Sequence, residues 1–180
     1  MLTPEETYAA LVFELVEALK KVFAKDTPNF PGLVLLYASI DIISSLSRPI
    51  NLEDTTRPVF KNWVTTYMLS DSGLKCSAAD IYAARCGILH TLSLSSQLSR
   101  DGHAKQISYL NKQSGVDRLQ KICDSKGHNV VVVSIYNYTH AFYNGILRFT
   151  ENLKTDAELR ARVFHHVGSV AAQISFSFRD

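Results

Sequence analysis

The chain has 180 residues, of which 46% are hydrophobic and 20% charged, as expected for a globular protein with a buried core. Its 19 basic and 17 acidic residues leave a net charge of +2, which is too small to indicate a polyanionic partner by itself. The three cysteines form no Cys-x-x-Cys pair, so disulfide and structural-zinc frameworks are disfavoured and a reducing cytoplasm is expected. The length fits a single domain, residues 1–180.

Neither a secretory leader nor a membrane span is expected. The N-terminal segment begins with acidic residues and contains recurring polar ones, unlike a signal peptide. No apolar run approaches the roughly 20 residues that a membrane helix needs. We therefore expect a cytoplasmic protein without membrane association.

The first part of the chain is predicted to be helical. Helix one has Thr3 as its N-cap and Glu6 as the second member of a capping box. Helix two covers about residues 31–46 and is mostly apolar, so we expect it to be central. Helix three covers residues 59–69 and contains the single tryptophan.

The chain after residue 93 has a different pattern. Residues 94–105 are predicted to be a loop, and residues 105–111 and 129–135 are predicted strands, the second rich in β-branched residues. These strands can pair as a small sheet. The predicted fold is a mainly α helical bundle with a two-stranded β insertion at about residues 95–135.

Three more helices complete the prediction. A short helix between the strands is expected to be capped by Ser114. Residues 136–153 and 155–174 form the last two helices, and Thr155 with Glu158 is the predicted capping box of the final one.

Helix four is predicted to begin at Ser77, with Asp80 completing a Ser-x-x-acid cap. It carries one arginine, Arg85, and one histidine, His90, on an otherwise mostly small and apolar segment. The two residues lie about 140° apart around the helix, so their positions alone do not bring them into contact. A long arginine side chain can still turn toward the same cleft. The helix also presents a stripe of small residues: Ala79, Ala83, Cys86 and Gly87.

The sequence "RCGILH", residues 85–90, resembles the R-x4–6-H motif of the HEPN superfamily. The resemblance covers helices two to four and implies a helical-bundle fold. Many members of that superfamily are ribonucleases in toxin–antitoxin, abortive-infection and RNA-guided defence systems. The longer segment "DIYAARCGILHTLS" also resembles a group of small bacterial proteins to which no activity is assigned.

The HEPN resemblance implies a metal-independent endoribonuclease with Arg85 and His90 as catalytic residues and no cofactor. The histidine would transfer protons at the ribose 2′-OH or the 5′-oxygen, and the arginine would stabilise charge on the phosphate. Such an enzyme cuts RNA but not DNA, because DNA lacks the 2′-OH nucleophile. Since one histidine does not easily act as both acid and base, a homodimer with facing motifs is expected. The small-residue stripe would suit that close symmetric contact.

A structural interpretation of Arg85 is also open. Asp41 lies inside the apolar second helix and needs a partner if it is buried, so Arg85 is expected to pair with it. That acid would also orient a catalytic arginine. Asp80 and Tyr82 are further supporting candidates, although Asp80 fits a cap better than a catalyst.

The insertion has a modest basic bias. Residues 95–127 contain six basic and three acidic residues, a net charge of +3. Arg100 and Lys105 are therefore candidate contacts to an RNA backbone, but a solvated surface explains the same residues.

Other motifs give no support to a small-molecule enzyme. The chain has no glycine-rich phosphate loop and no recognisable nucleophile motif, and no metal site is predicted. The adjacent His165 and His166 point about 100° apart on a helix, so we expect exposed or interface histidines.

Two hypotheses follow from the sequence. The first is a dimeric HEPN-type endoribonuclease, acting as a toxin or in phage defence, with RNA as substrate and an antitoxin or other protein as partner. The second is a non-catalytic HEPN-like dimeric scaffold or protein-interaction module. Many superfamily members carry a polar residue after the arginine; Cys86 at that position favours the second hypothesis.

Overall fold

The computed structural model describes residues 2–24 and 29–177, with side chains up to residue 169. It confirms a mainly helical fold with a small two-stranded sheet. The helices are α1 (Pro4–Val22), α2 (Phe30–Ser45), α3 (Arg57–Trp63), α4 (Ala78–Thr91), α5 (Gln97–Arg100), α6 (Val116–Ser125), α7 (Ile135–Thr155) and α8 (Ala157–Ser177). The strands are β1 (Gln106–Leu110) and β2 (Val130–Ser134).

Local capping chemistry sets the starts of α1 and α4 as predicted. The Thr3 and Ser77 side chains each accept a hydrogen bond from the third helical N–H, and the carboxylate at that third position accepts one from the backbone N–H of the capping residue. Helix α2 begins one residue earlier than predicted, because the Asn29 side chain accepts a hydrogen bond from the Gly32 N–H.

Helix three is not the uniform α-helix that the pattern predicted. The chain is α-helical only to Trp63 and then forms a wider π-helical turn over Val64–Met68. Both Trp63 and Met68 are fully buried, and the extra residue of the wider turn lets both face the core. Gly145 permits this approach, since a Cβ there would lie 3.0 Å from the Met68 Cα atom.

Three other local predictions are wrong. Helix α6 begins at Val116 after a 3₁₀ turn and has no side-chain cap, so Ser114 does not cap it. Thr155 belongs to α7 and donates its hydroxyl to the Asn152 carbonyl. Asp156, the next residue, instead accepts from the Leu159 N–H at 2.9 Å at the start of α8. The predicted loop after residue 93 contains the short helix α5.

The two strands pair with each other in parallel, with Gln106 opposite Val130. Parallel strands need a long crossover, and α6 provides it. The Gln120 side chain of α6 bonds to the free edge of β2, donating to the Val130 carbonyl and accepting from the Val132 N–H. This contact satisfies strand groups that would otherwise lack partners.

One apolar core joins the helices and one face of the sheet. Tyr37, Trp63 and Phe142 are fully buried there, from α2, α3 and α7. Val132 points to the opposite face of the sheet, into a smaller cluster with α6. Helix α4 packs against α2, α3 and β1, and this packing places Arg85 beside α2.

Candidate functional site

The C-terminal turn of α4 presents His90 to solvent. The helix buries Ile81, Ala84 and Ile88 and leaves its last turn outside the core. Leu92 then adopts a left-handed conformation with φ 48°, and the chain turns away. Only Thr91 follows His90 in the helix, and the His90 side chain is exposed.

The structure brings Arg85 and His90 into contact. The Arg85 Nη1 atom lies 2.8 Å from His90 Nε2. The Arg85 side chain is long enough to bridge the separation of the two residues around the helix, and it runs along the surface of α4 toward the C-terminus of the helix. These two candidate catalytic residues therefore form one site on one subunit.

Asp41 of α2 holds the other side of the guanidinium. The Arg85 Nη2 atom lies 2.6 Å from Asp41 Oδ2, and the two side chains are only 19% and 25% exposed. The predicted pairing is thus confirmed. Burial opposes the charge on Arg85, but the hydrogen bond and the negative charge of Asp41, with a contribution from the Cys86 thiol, outweigh it and raise the pKa of Arg85.

The hydrogen-bond chemistry of the pair limits which tautomer of His90 fits the contact. A guanidinium has donors only, so a hydrogen bond between the two groups makes His90 Nε2 the acceptor. This contact fits the tautomer that carries its proton on Nδ1. The Nε2 lone pair is then occupied by Arg85 until another acceptor takes the guanidinium.

Two supporting candidates, Asp80 and Tyr82, lie nearer the start of α4. Asp80 is buried and accepts hydrogen bonds from Ser77 and, at 2.6 Å, from the Lys105 N–H, so it joins the start of α4 to the start of β1. It is ten positions before His90, about 15 Å along the helix, and does not contact the Arg85–His90 pair. Tyr82 is half-buried between Arg57 and Phe60, and burial, with the nearby Cys86 thiol, raises the pKa of its hydroxyl.

The two predicted RNA-binding residues are both exposed but lie in different places. Arg100 is on α5, which packs against α4, and its Nη1 atom lies 3.4 Å from the Ser95 carbonyl. Lys105 precedes β1, and its backbone is held by Asp80. Among the described residues, the hydrogen bond of the His90 side chain is to Arg85 and not to either of these two residues.

Part of the small-residue stripe is used inside the subunit. Ala83 and Gly87 are both buried. A Cβ at Gly87 would lie 2.6 Å from the Ser93 carbonyl oxygen, so the segment after α4 fills this space. The expectation that both residues meet a second subunit is therefore wrong, because both are buried within one subunit and the chain's own loop covers Gly87.

Two features of the structure were not predicted from the sequence. Arg57 and Lys61 line a cleft together with Tyr82 and His103. Arg57 and Lys61 are four residues apart, which places both on one helix face. This spacing could have been recognised in the sequence. His166 was expected to be exposed or at an interface, but it is buried and its Nε2 donates to the Arg48 carbonyl at 3.1 Å.

Among the described residues, no three His, Cys, Asp or Glu side chains lie close enough to hold a metal ion. None of the helices in the same part of the chain combines the length and apolar character of a membrane span. No model of a known protein family, no curated protein and no solved structure matches this chain.

Proposed function

We propose that the chain is a HEPN-type endoribonuclease that cuts RNA without a metal ion and acts as a homodimer. The observation that carries this proposal is the exposed His90 imidazole within hydrogen-bond distance of Arg85. A histidine kept only for packing would be buried. An arginine fixed by Asp41 beside an accessible base suits a site that receives a phosphate.

The reaction uses the ribose of the substrate as nucleophile. An RNA phosphate takes the Arg85 Nη1 donor, which frees the His90 Nε2 lone pair. That nitrogen accepts the proton of the 2′-OH while the 2′-oxygen bonds to phosphorus and the bond from phosphorus to the 5′-oxygen breaks. The products are a 2′,3′-cyclic phosphate and a 5′-OH end.

The second proton transfer needs a second histidine, which a dimer would supply. The leaving 5′-oxygen needs a proton, and the neutral His90 of the same subunit is already the base. A protonated His90 of a second copy supplies it, with the two α4 ends facing one cleft. Leu92 is 71% exposed and Leu94 39% exposed directly after this helix, and the second copy would cover this apolar surface.

The biological role follows the resemblance to the superfamily. A nuclease of this kind acts in the cytoplasm as a toxin or phage-defence component, with an antitoxin or another protein partner restraining it. Induced expression of the wild type would then stop cell growth, and His90→Ala would restore it. His128→Ala, at another exposed histidine, would remain toxic.

The direct test is cleavage of single-stranded RNA by the purified protein. We expect His90→Ala to lower the rate by about 10²–10⁴-fold, since this is the usual contribution of a general base. His128→Ala should cleave like the wild type. EDTA should not change the rate. Cleavage that survives in His90→Ala, or that EDTA abolishes, would contradict the proposal.

One observation favours a second candidate function. The Asp41–Arg85 ion pair balances the charge of the arginine without any ligand, as in a HEPN-like scaffold or protein-interaction module that lacks catalysis. In that case the pure protein cuts no RNA, with or without EDTA, and His90→Ala has no effect on growth.

A further inference from the structure

A cleft of about 340 Å³ opens beside α4, one to two turns before the Arg85–His90 pair. Arg57 and Lys61 from α3, Tyr82 from α4 and His103 from the segment before β1 contribute to its wall. This volume is at the small end of the about 300–1,000 Å³ typical of ligand pockets, which suits one nucleotide.

The cations of the cleft are available to an anion. Arg57 is exposed and Lys61 half-buried. Neither forms an ion pair with any residue in the described ranges 2–24 and 29–177. This differs from Arg85, whose charge is already balanced by Asp41. The cleft therefore has uncompensated positive charge beside the proposed cleavage site.

The same cleft has stacked planar groups. The Arg57 guanidinium lies 5.0 Å from the centre of the Tyr82 ring. Phe60 meets Tyr82 edge-on with ring centres 5.5 Å apart and fixes the tyrosine in place. An unpaired base can extend this stack on the guanidinium, since arginine and aromatic planes are the usual stacking surfaces for single-stranded RNA.

The cleft and the catalytic pair are on one continuous surface of α4. Tyr82 precedes Arg85 by three residues, so the two side chains are neighbours on the helix surface. The Cys86 thiol is close enough to both to affect both. Tyr82 and His90 are eight residues apart, about 12 Å along the axis, which places them within reach of adjacent nucleotides of one strand.

We propose that this cleft binds the nucleotide adjacent to the cleavage point of a single-stranded RNA, with its base on the Arg57–Tyr82 stack and its phosphate at Lys61. This inference rests on the proposed nuclease function and names the form of RNA it takes. A duplex is disfavoured, because its bases are already stacked and paired.

Binding of an RNA that cannot be cut separates this inference from catalysis. The probe is a fluorescently labelled single-stranded RNA oligonucleotide that is 2′-O-methylated at every position, so that no 2′-OH nucleophile remains. We expect Arg57→Gln/Lys61→Gln to weaken binding about tenfold or more, and the slope of log Kd against log salt to fall by about 0.7 for each lost phosphate contact. Lys21→Gln, an exposed lysine on α1, is the matched control and should bind like the wild type.

A second measurement locates the base. RNA carrying one 4-thiouridine is photocrosslinked to wild type, and the modified peptide is identified by mass spectrometry. We expect the crosslink in residues 57–61, at Tyr82 or at His103, and its loss in Tyr82→Ala. Unchanged melting temperatures of the variants verify that they fold.

The outcomes separate the two claims. If the double variant and the Lys21→Gln control bind with equal affinity, or if the crosslink forms elsewhere, the cleft is not the RNA site. Weaker binding by the double variant, in a protein that shows no His90-dependent cleavage, keeps the cleft as an RNA site and rejects the nuclease. A wild type that binds neither probe overturns both.

Discussion

Arg85 Nη1 lies 2.8 Å from His90 Nε2, although the two residues are about 140° apart around their helix. Helix α4 ends at Thr91, one residue after His90, and Asp41 holds the far side of the guanidinium. An arginine can only donate, so His90 Nε2 is the acceptor in this contact. This arrangement is the structural basis of the proposed activity.

Removing the charge of Asp41 should weaken both stability and catalysis. Asp41→Asn leaves a mostly buried guanidinium without its counter-charge, and we expect the free energy of unfolding in urea to fall by about 1–2 kcal/mol. The loss is smaller than for a fully buried pair because solvent reaches both side chains. We expect kcat for RNA cleavage to fall as well, because the Asp41 carboxylate no longer holds the guanidinium in position.

Glu17→Gln is the control for that experiment. It breaks the exposed Glu17–Lys20 pair on α1, and no measurable change in stability is expected. Equal stability of the two variants would show that Asp41 does not anchor Arg85 in solution.

Gly87→Ala should destabilise the end of α4. The added Cβ would lie 2.6 Å from the Ser93 carbonyl oxygen, and this backbone must move to admit it. We expect a loss of about 1–3 kcal/mol on urea unfolding, as for other overpacked sites, together with lower cleavage because the loop after His90 shifts.

Gly168→Ala provides the comparison within another helix. A Cβ there meets no described atom within 4 Å, so the substitution should instead raise stability by up to about 1 kcal/mol through helix propensity. If Gly87→Ala also raises stability, residues 93–95 do not pack closely on α4 in solution.

The exposed leucine beside His90 tests the proposed dimer. Leu92→Asp places a like charge on both copies at the proposed contact, so the dissociation constant of the dimer should rise by about tenfold or more in sedimentation equilibrium. Leu147→Asp is the matched control, because Leu147 is 67% exposed on α7 and away from this surface. A monomeric wild type, or equal effects of the two substitutions, would exclude this interface.

His166 should make stability depend on pH. Burial lowers the pKa of its imidazole below the ordinary 6.5, despite the hydrogen bond to the Arg48 carbonyl. As pH falls below about 6.5 the unfolded chain takes up a proton on this residue while the folded chain resists it, so stability should decrease. Urea unfolding between pH 7.5 and about 5.5 measures this slope.

An exposed histidine elsewhere in the chain is the control for the pH effect. His166→Gln should flatten the slope, whereas His128→Gln, at an exposed position after α6, should leave it unchanged. Identical slopes for His166→Gln and wild type would show that His166 takes up its proton equally in both states.

The features predicted correctly from sequence depend on local chemistry or on a single strong requirement. The boxes at Thr3 and Ser77 involve residues only three positions apart. The Asp41–Arg85 pair was predictable because an acid inside an apolar helix needs a cation, and few cations occur in the neighbouring helices.

The features that were missed depend on distant parts of the chain. The π-helical turn after Trp63 fits against Gly145 of α7, which no local pattern shows. Tyr37, Tyr109 and Tyr138 form a buried hydroxyl cluster although they are far apart in sequence. The sequence likewise shows that Gly87 is small, but not that the chain's own loop covers it.

In the proposed reaction the 2′-OH of the substrate is the nucleophile and His90 is its base. Mass spectrometry of the products from two RNA oligonucleotides that differ only by one 2′-deoxy sugar at the cut position tests this assignment. We expect a 2′,3′-cyclic phosphate end from the all-ribose strand and no cut at that position in the other strand. Cleavage of the 2′-deoxy strand at the same bond, or a product with a 3′-OH and a 5′-phosphate, would contradict it.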